Sequence, residues 1–313
     1  SEDGIHFTRG WPITNKGKFD TQNVAIWHEK QELYYCYIRD FHGYEGENLN
    51  EGIRDIRYIT SPDFKTWSDP TLIDFGDSED VPLYTNAVTK YERAPQMLIG
   101  FPTRYVERKN WSENFDQLPG AEPRRKRSGI HPRYGLTTTD CVLMTSRDGK
   151  SWNRFDEAWI TPGIEREHNW VYGDCFPAPA LIETKSSLEH APDELSLYCF
   201  ERHWSTLPTK LRRYSIRKDG FISYHATYAP QTLVTKPITF SGSQLELNFS
   251  TSARGYIYVK IYSKNTVLKS CELFGDSLDR IVPFDGDLSD LTGKEVVIEF
   301  YMSDADLFSL KFT

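Results

Sequence analysis

The sequence predicts an all-β chain in which blades of a β-propeller are followed by a β-sandwich. Three observations predict it: a short turn signature that recurs, strand-like runs in the same order between its copies, and a near absence of helical periodicity. The signature reads Ser1-Glu2-Asp3-Gly4-Ile5-His6-Phe7, again Ser61-Pro62-Asp63-Phe64-Lys65-Thr66-Trp67, and again Ser146-Arg147-Asp148-Gly149-Lys150-Ser151-Trp152. A degenerate fourth copy is Arg217-Lys218-Asp219-Gly220-Phe221. Asp-Gly is a hairpin signal, because both central positions of a type I′ turn need positive φ. The expectation is therefore an outer hairpin with a scaffold aspartate, its aromatic residue packing on the outer strand.

The copies begin about 60, 85 and 70 residues apart, longer than the roughly 40 to 50 of short propeller repeats, which leaves room for large loops. Each interval reads as a polar residue, an innermost strand, a second strand ending in charge, and a third strand. In the first these are Asp20 to Asn23, then 24–27, 33–39 and 54–60; in the second, Thr85-Asn86, then 87–90, 96–104 and 140–145. In the third they are Gly173-Asp174, then 176–182, 194–202 and 211–216. In a meander, the start of strand one, the end of strand two and the start of strand three share an edge. That edge is expected to gather Asp20, Arg39, Asp40, Arg54, Asn86, Arg104, Asp140, Asp174, Glu201, His203 and Arg212.

From about Pro230 the texture changes to short alternating runs at 233–240, 244–250, 256–263, 267–273, 295–302 and 307–312, split by Gly, Asn and Asp. This spacing reads as an antiparallel sandwich. The domains are thus expected at 1–229 and 230–313, the second buttressing the first rather than binding glycan.

The 313 residues are 38% hydrophobic, 26% charged and 14% aromatic, values that suit a soluble globular chain and, in the aromatics, ring stacking on sugars. A net charge of −8 argues against a nucleic-acid partner. The one basic run, Arg124 to Arg127, reads as a solvated stretch of a Pro/Gly-rich loop. Five cysteines form no CxxC pair, so neither a zinc site nor a disulfide framework is indicated, and most are expected as small buried strand residues. No metal site and no cofactor is expected, although structural calcium would be compatible with this acidity in the absence of EF-hand spacing. No apolar run is long enough to cross a membrane as a helix. The sequence contains no phosphate loop, HExxH or serine-nucleophile elbow, which argues against kinase, dehydrogenase and zinc-protease readings.

The phrases FDTQNVAIW, RDIRYITSPDFKTW, LYTNAVTKYERAPQMLIGFPTRY, TDCVLMTSRDGKSW, LRRYSIRKDGF and TKPITFSGSQLELNFSTSARG carry a resemblance that covers nearly the whole chain. They resemble a bacterial group of glycosyl-hydrolase-like five-bladed propellers, fold relatives of glycoside hydrolase families 32 and 43. The resemblance implies a role in polysaccharide degradation, an oligo- or polysaccharide partner and a periplasmic or extracellular location. It also implies further propeller ahead of the first signature, so that this chain corresponds to a C-terminal portion whose missing N-terminal blade or blades complete the ring. Arg39-Asp40 lacks the proline of the Arg-Asp-Pro triplet of family 32, and no catalytic role transfers directly.

Glycoside hydrolysis needs one protonated carboxyl and one ionised carboxylate. The candidates are Asp20, Glu201, Asp174 and Asp140, each with an ion pair or turn cap as its purely structural alternative. Arg39, Arg54, Asn86, Arg104, Trp170, His203 and Arg212 are the candidate substrate-binding residues. Arginines on this face would suit an anionic sugar through bidentate contacts. Two other functions stay open: a non-catalytic glycan-binding propeller, and a polysaccharide lyase using His203 or Tyr91 beside a neutralising arginine. The insertion at 107–139, with His131, reads as a lid over this face or as a disordered or oligomer-contacting loop.

Overall fold

The Ser-x-Asp signature folds the same way in each of its three full copies in a computed structural model that describes residues 1–8, 10–44 and 52–313. In the second copy Asp63 Oδ1 accepts the backbone N–H groups of Lys65 and Thr66, each at 2.8 Å, while the Ser61 hydroxyl donates to the same carboxylate at 3.0 Å. Asp148 repeats this with Lys150, Ser151 and Ser146, and Asp3 with Ile5, His6 and Ser1. The turn is an aspartate-closed one and not the expected type I′ hairpin. Only the residue after the aspartate is left-handed, with φ of 72° at Gly4, 60° at Phe64 and 76° at Gly149. The aromatic folds back onto the turn: Trp67 Nε1 donates to the Phe64 carbonyl and Trp152 Nε1 to that of Gly149, both at 3.3 Å. The degenerate copy differs, since there the aspartate itself, Asp219, takes the positive φ of 57°.

Partial burial pushes the Asp148 carboxyl up, but the two backbone N–H bonds and Ser146 outweigh it and hold the group below its ordinary value. A carboxyl lowered in the folded state stabilises above its unfolded pKa and loses that contribution as pH falls through the folded one. Asp148→Ala is therefore expected to cost about 1 kcal/mol at pH 7, the scale of a lost cap, and less near pH 3. Denaturant midpoints at the two pH values check this.

Between the turns the chain meanders. The first sheet runs Val24–His28, Leu33–His42, Ile53–Ser61 and Thr71–Leu72 in sequence order, all pairs antiparallel. Leu33–His42 is buried on both faces: Tyr35 and Tyr37 point one way, Cys36 and Ile38 the other. The second sheet holds Thr89–Lys90, then Leu98–Gly100 and Thr103–Glu107, then Thr137–Ser146 and Asn153–Ile160. The single strand expected at 96–104 is broken after Gly100, because Pro102 has no N–H to give to a ladder. Both pieces still pair with Thr137–Ser146, which makes this a second four-row meander. Tyr35, Tyr37, Ile56, Leu98, Val142, Met144 and Trp152 form one core from the two sheets. In a third sheet Phe176–Pro177 pairs with Phe200 and Cys199 of Glu194–Glu201, and Lys210–Ile216 also pairs with that strand.

The insertion differs from its expectation. It folds into three helices, Asn114–Gln117, Ala121–Ile130 and Arg133–Leu136, around a core of Phe115, Leu118 and Leu136. The run read as a solvated basic loop lies inside Ala121–Ile130, and Arg124 is only 1% exposed. Its Nη atoms donate to the carbonyls of Gly135 and Trp170, which ties the helix to the blade loop beside it.

Compactness divides the chain into residues 1–182 with 196–214, and residues 183–195 with 215–313. In the second unit two 18-residue strands, Leu245–Tyr262 and Glu295–Phe312, pair along most of their length. The sequence divides each into two runs at Thr251–Gly255 and Ser303–Asp306, where register shifts and bulges bend the strands without ending them. Leu245, Leu247 and Phe249 on one half and Ile257, Val259 and Ile261 on the other share a single sandwich core with Ile298, Phe300 and Leu307. All five cysteines are free, and four of them are buried. No helix among the described residues is long and apolar enough to cross a membrane.

Candidate functional site

A cleft of about 580 Å³ lies in the first unit at the strand ends. Asp20 enters it from the segment before the first strand, Arg39 from the end of the second and Arg54 from the start of the third. Its remaining walls include Phe41, Tyr84, Tyr105, Tyr172, Trp204, and Arg133 and Tyr134 of the insertion. Arg39 is 4% exposed, donates from Nη1 to Asp20, and lies over the rings of Phe41 at 4.4 Å and Tyr84 at 4.8 Å. Arg54 stacks on Tyr105 at 3.8 Å.

A second pocket of about 280 Å³ is lined by Arg166, Glu167, His168, Asn169, Asp174, Glu201, Arg202, Leu207, Lys210 and Arg212. Its wall is fixed by local hydrogen bonds. Asn169, 2% exposed, donates to the carbonyls of Pro162 and Ile164 and accepts the N–H of Arg166. Asp174 Oδ2 accepts the N–H of Val171 at 3.0 Å, and Thr139 Oγ1 donates to the Asp174 carbonyl at 2.7 Å. Two of its lining residues, His168 and Arg202, and their chain neighbours Trp170, Cys175 and Trp204 hold positive φ, at 57° to 71°. Such conformations each cost on the order of 1 to 3 kcal/mol and gather at functional sites.

The pocket sets two carboxylates apart. Burial pushes Asp174 up to about 6, against the lowering effect of the Val171 and Trp170 N–H bonds. Burial also pushes Glu201 up, but the hydrogen bond from Arg212 and the charges of Arg166 and Arg212 outweigh it and leave the group below its ordinary value. Arg166 Nη2 and Arg212 Nε both donate to Glu201 Oε1. One carboxyl is thus inclined to keep its proton while its neighbour is held ionised, the division of roles that acid–base catalysis requires.

Gly173, at φ 101°, adjoins this pair; a Cβ there would lie 2.4 to 2.5 Å from the His203 side chain. Gly173→Ala is expected to displace His203 and to destabilise by about 1 to 3 kcal/mol through strain and overpacking. Thermal unfolding and the near-ultraviolet circular dichroism of the surrounding rings read both effects.

The other residues marked in the sequence lie elsewhere. Asp140 receives a bidentate pair from Arg104 at 2.7 and 2.9 Å, and neither lines the two pockets. Asn86 is 1% exposed and braces the strands, donating to the Gln22 carbonyl. Trp170 packs on the insertion core and donates to Gly163. His203 stands edge-on to Tyr172 and Trp204, and partial burial, then Arg127, hold its imidazole below the ordinary value. Tyr91 is buried away from both pockets. His131 packs against Tyr134. Tyr84, Tyr105, Tyr172 and Arg166 line the pockets although the sequence pattern does not mark them. One of them is a single residue from a marked position: Tyr105 follows Arg104. Successive side chains on a strand point to opposite faces, so the edge was legible and the parity was not.

No family model matches this sequence, and no curated protein matches it. Among solved structures, an N-acetylgalactosamine deacetylase from F. plautii, in complex with blood group B trisaccharide, aligns at 8% identity and a TM-score of 0.37 over 93% of this chain. The α-L-arabinofuranosidase arb93a of Fusarium graminearum aligns at 9% and 0.34 over 90%, and a glycoside hydrolase family 32 structure from Bifidobacterium adolescentis at 6% and 0.33 over 93%. The chain spans about half the length of the first two, 51% and 56%, and 69% of the third. Likenesses this distant assign neither substrate nor residue roles.

Proposed function

We propose that the chain is the C-terminal portion of a bacterial glycoside hydrolase, periplasmic or extracellular, that cleaves a glycosidic bond in plant or algal polysaccharide fragments. On this reading Asp174 is the acid, Glu201 is the nucleophile or the base, and a preceding propeller segment completes the ring. What supports it is one observation: two carboxyls share a pocket whose environment favours the protonated form of one and the ionised form of the other. Asp20 is placed differently, as an arginine-paired group on the rim of the larger cleft.

The test is release of new reducing ends from a panel of plant and algal oligosaccharides, followed by chromatography. Turnover that disappears in Glu201→Gln supports the reading. Turnover unchanged in both Glu201→Gln and Asp174→Asn overturns it.

A second reading, glycan binding without catalysis, draws on the double arginine clamp that already occupies Glu201 Oε1. It expects binding that survives both substitutions and no turnover by the wild type. A lyase would instead leave an unsaturated uronate that absorbs in the ultraviolet.

A further inference from the structure

Arg54 is 9% exposed and faces the larger cleft, and its Nε is buried with no hydrogen-bond partner among the described residues. A buried charge is ordinarily paired, because removing it from water costs several kcal/mol. The guanidinium lies over three aromatic faces: Tyr105 at 3.8 Å, Phe41 at 5.4 Å and Tyr84 at 5.7 Å. A second guanidinium, Arg39, lines the same cleft and is engaged by Asp20. Arg39 Nε, like Arg54 Nε, is buried without a partner. The Arg54 guanidinium therefore faces the cleft with no carboxylate partner among the described residues, beside aromatic rings.

We propose that this cleft is a subsite for an anionic sugar unit, whose carboxylate or sulfate oxygens are received by Arg54 and Arg39 while its apolar ring face lies on the exposed Trp204. Arginine suits such an oxyanion because its planar fork donates two parallel N–H bonds. Aromatic walls suit the carbon-bound hydrogens of the ring. The volume exceeds the roughly 300 Å³ at which small-molecule pockets begin. The inference rests on the glycosidase reading above and names the class of substrate it would take.

The test is binding to the full chain of free monosaccharides, which contain no glycosidic bond and report on this subsite whether or not the chain hydrolyses anything. Galacturonate and glucuronate form one arm, galactose 6-sulfate a second, and galactose and glucose the neutral reference, each titrated by calorimetry at low and moderate salt. At least one anionic arm is expected to bind ten or more times more tightly than its neutral counterpart, with the advantage shrinking as salt rises. The arm that binds identifies the anion. Arg54→Met keeps the stem and removes an unpaired buried charge, so it is expected to fold with unchanged or higher thermal stability. It should also lose at least tenfold in anionic binding, with partial recovery in Arg54→Lys. Neutral sugars binding as well as anionic ones, or Arg54→Met binding anionic sugars like the wild type, overturns the proposal.

Discussion

Glu201→Gln is expected to lower kcat by about 10² to 10⁴-fold, the range that a positioned acid–base group contributes, while leaving the fold intact. The amide keeps one oxygen to accept from Arg166 and Arg212, so the clamp survives and the change removes charge more than shape. Asp174→Asn separates catalysis from scaffolding at the other carboxyl. Its amide oxygen still accepts the Val171 N–H, so a purely structural turn cap would leave turnover unchanged. An acid role predicts a comparable loss of turnover and a changed pH profile. With Glu201 lowered and Asp174 at about 6, the wild type should show a bell whose alkaline limb falls near pH 6, and that limb should vanish in Asp174→Asn. Stability carries the same signature with its own sign. A carboxyl raised in the folded state binds its proton more tightly there than when unfolded, so stability rises as pH falls from above 6 towards 4 and levels off below. A rise from 3.8 to about 6 corresponds to roughly 3 kcal/mol at most. This slope should be absent in Asp174→Asn when denaturant midpoints are compared at pH 7.5 and pH 4.5.

Gly149→Val is expected to destabilise the first unit by about 2 to 5 kcal/mol, through overpacking and strain together. A Cβ at this position would lie 2.9 Å from Tyr35 Cε1 and 2.9 Å from Tyr37 Oη. Both rings are fully buried, and the Tyr37 hydroxyl donates to the Gly149 carbonyl at 2.9 Å, so neither can withdraw. The left-handed conformation alone does not account for the cost. Phe64 occupies the equivalent place in the second copy at φ 60°. Gly4, in the first copy, has open space around its would-be Cβ, which makes Gly4→Ala a control for the conformational part. Urea unfolding followed by tryptophan fluorescence measures both variants. Near-equal destabilisation of the two would show that contact with the tyrosines is not what Gly149 protects.

The contrast between Gly149 and Gly4 shows how far the primary structure could be read. Recurrence of Ser-x-Asp located the turns, and the chemistry of a carboxylate beside two free N–H groups closes them. The turn type is not legible in the sequence, because Asp-Gly also signals a hairpin and only backbone torsions tell the two apart. Alternation of apolar residues marked the meander strands and the sandwich, since burial on one or both faces leaves a period-two trace in the sequence. The gathering of Asp20, Arg39 and Arg54 in one cleft, and of Asp174, Glu201 and Arg212 in another pocket, is consistent with the shared edge of a meander.

The sequence by itself therefore determined the all-β class, the positions of the turns and the strand edges that carry charge. Tertiary structure decided which neighbour at each edge faces the cleft, so that Tyr105 points in while Arg104 turns away to Asp140. It also decided that the 107–139 insertion is helical and brings Arg133 and Tyr134 to the cleft wall. The physical reason is common to both. A local pattern records how often a residue is buried, whereas the direction of a side chain and the company of a guanidinium depend on segments far apart in the chain.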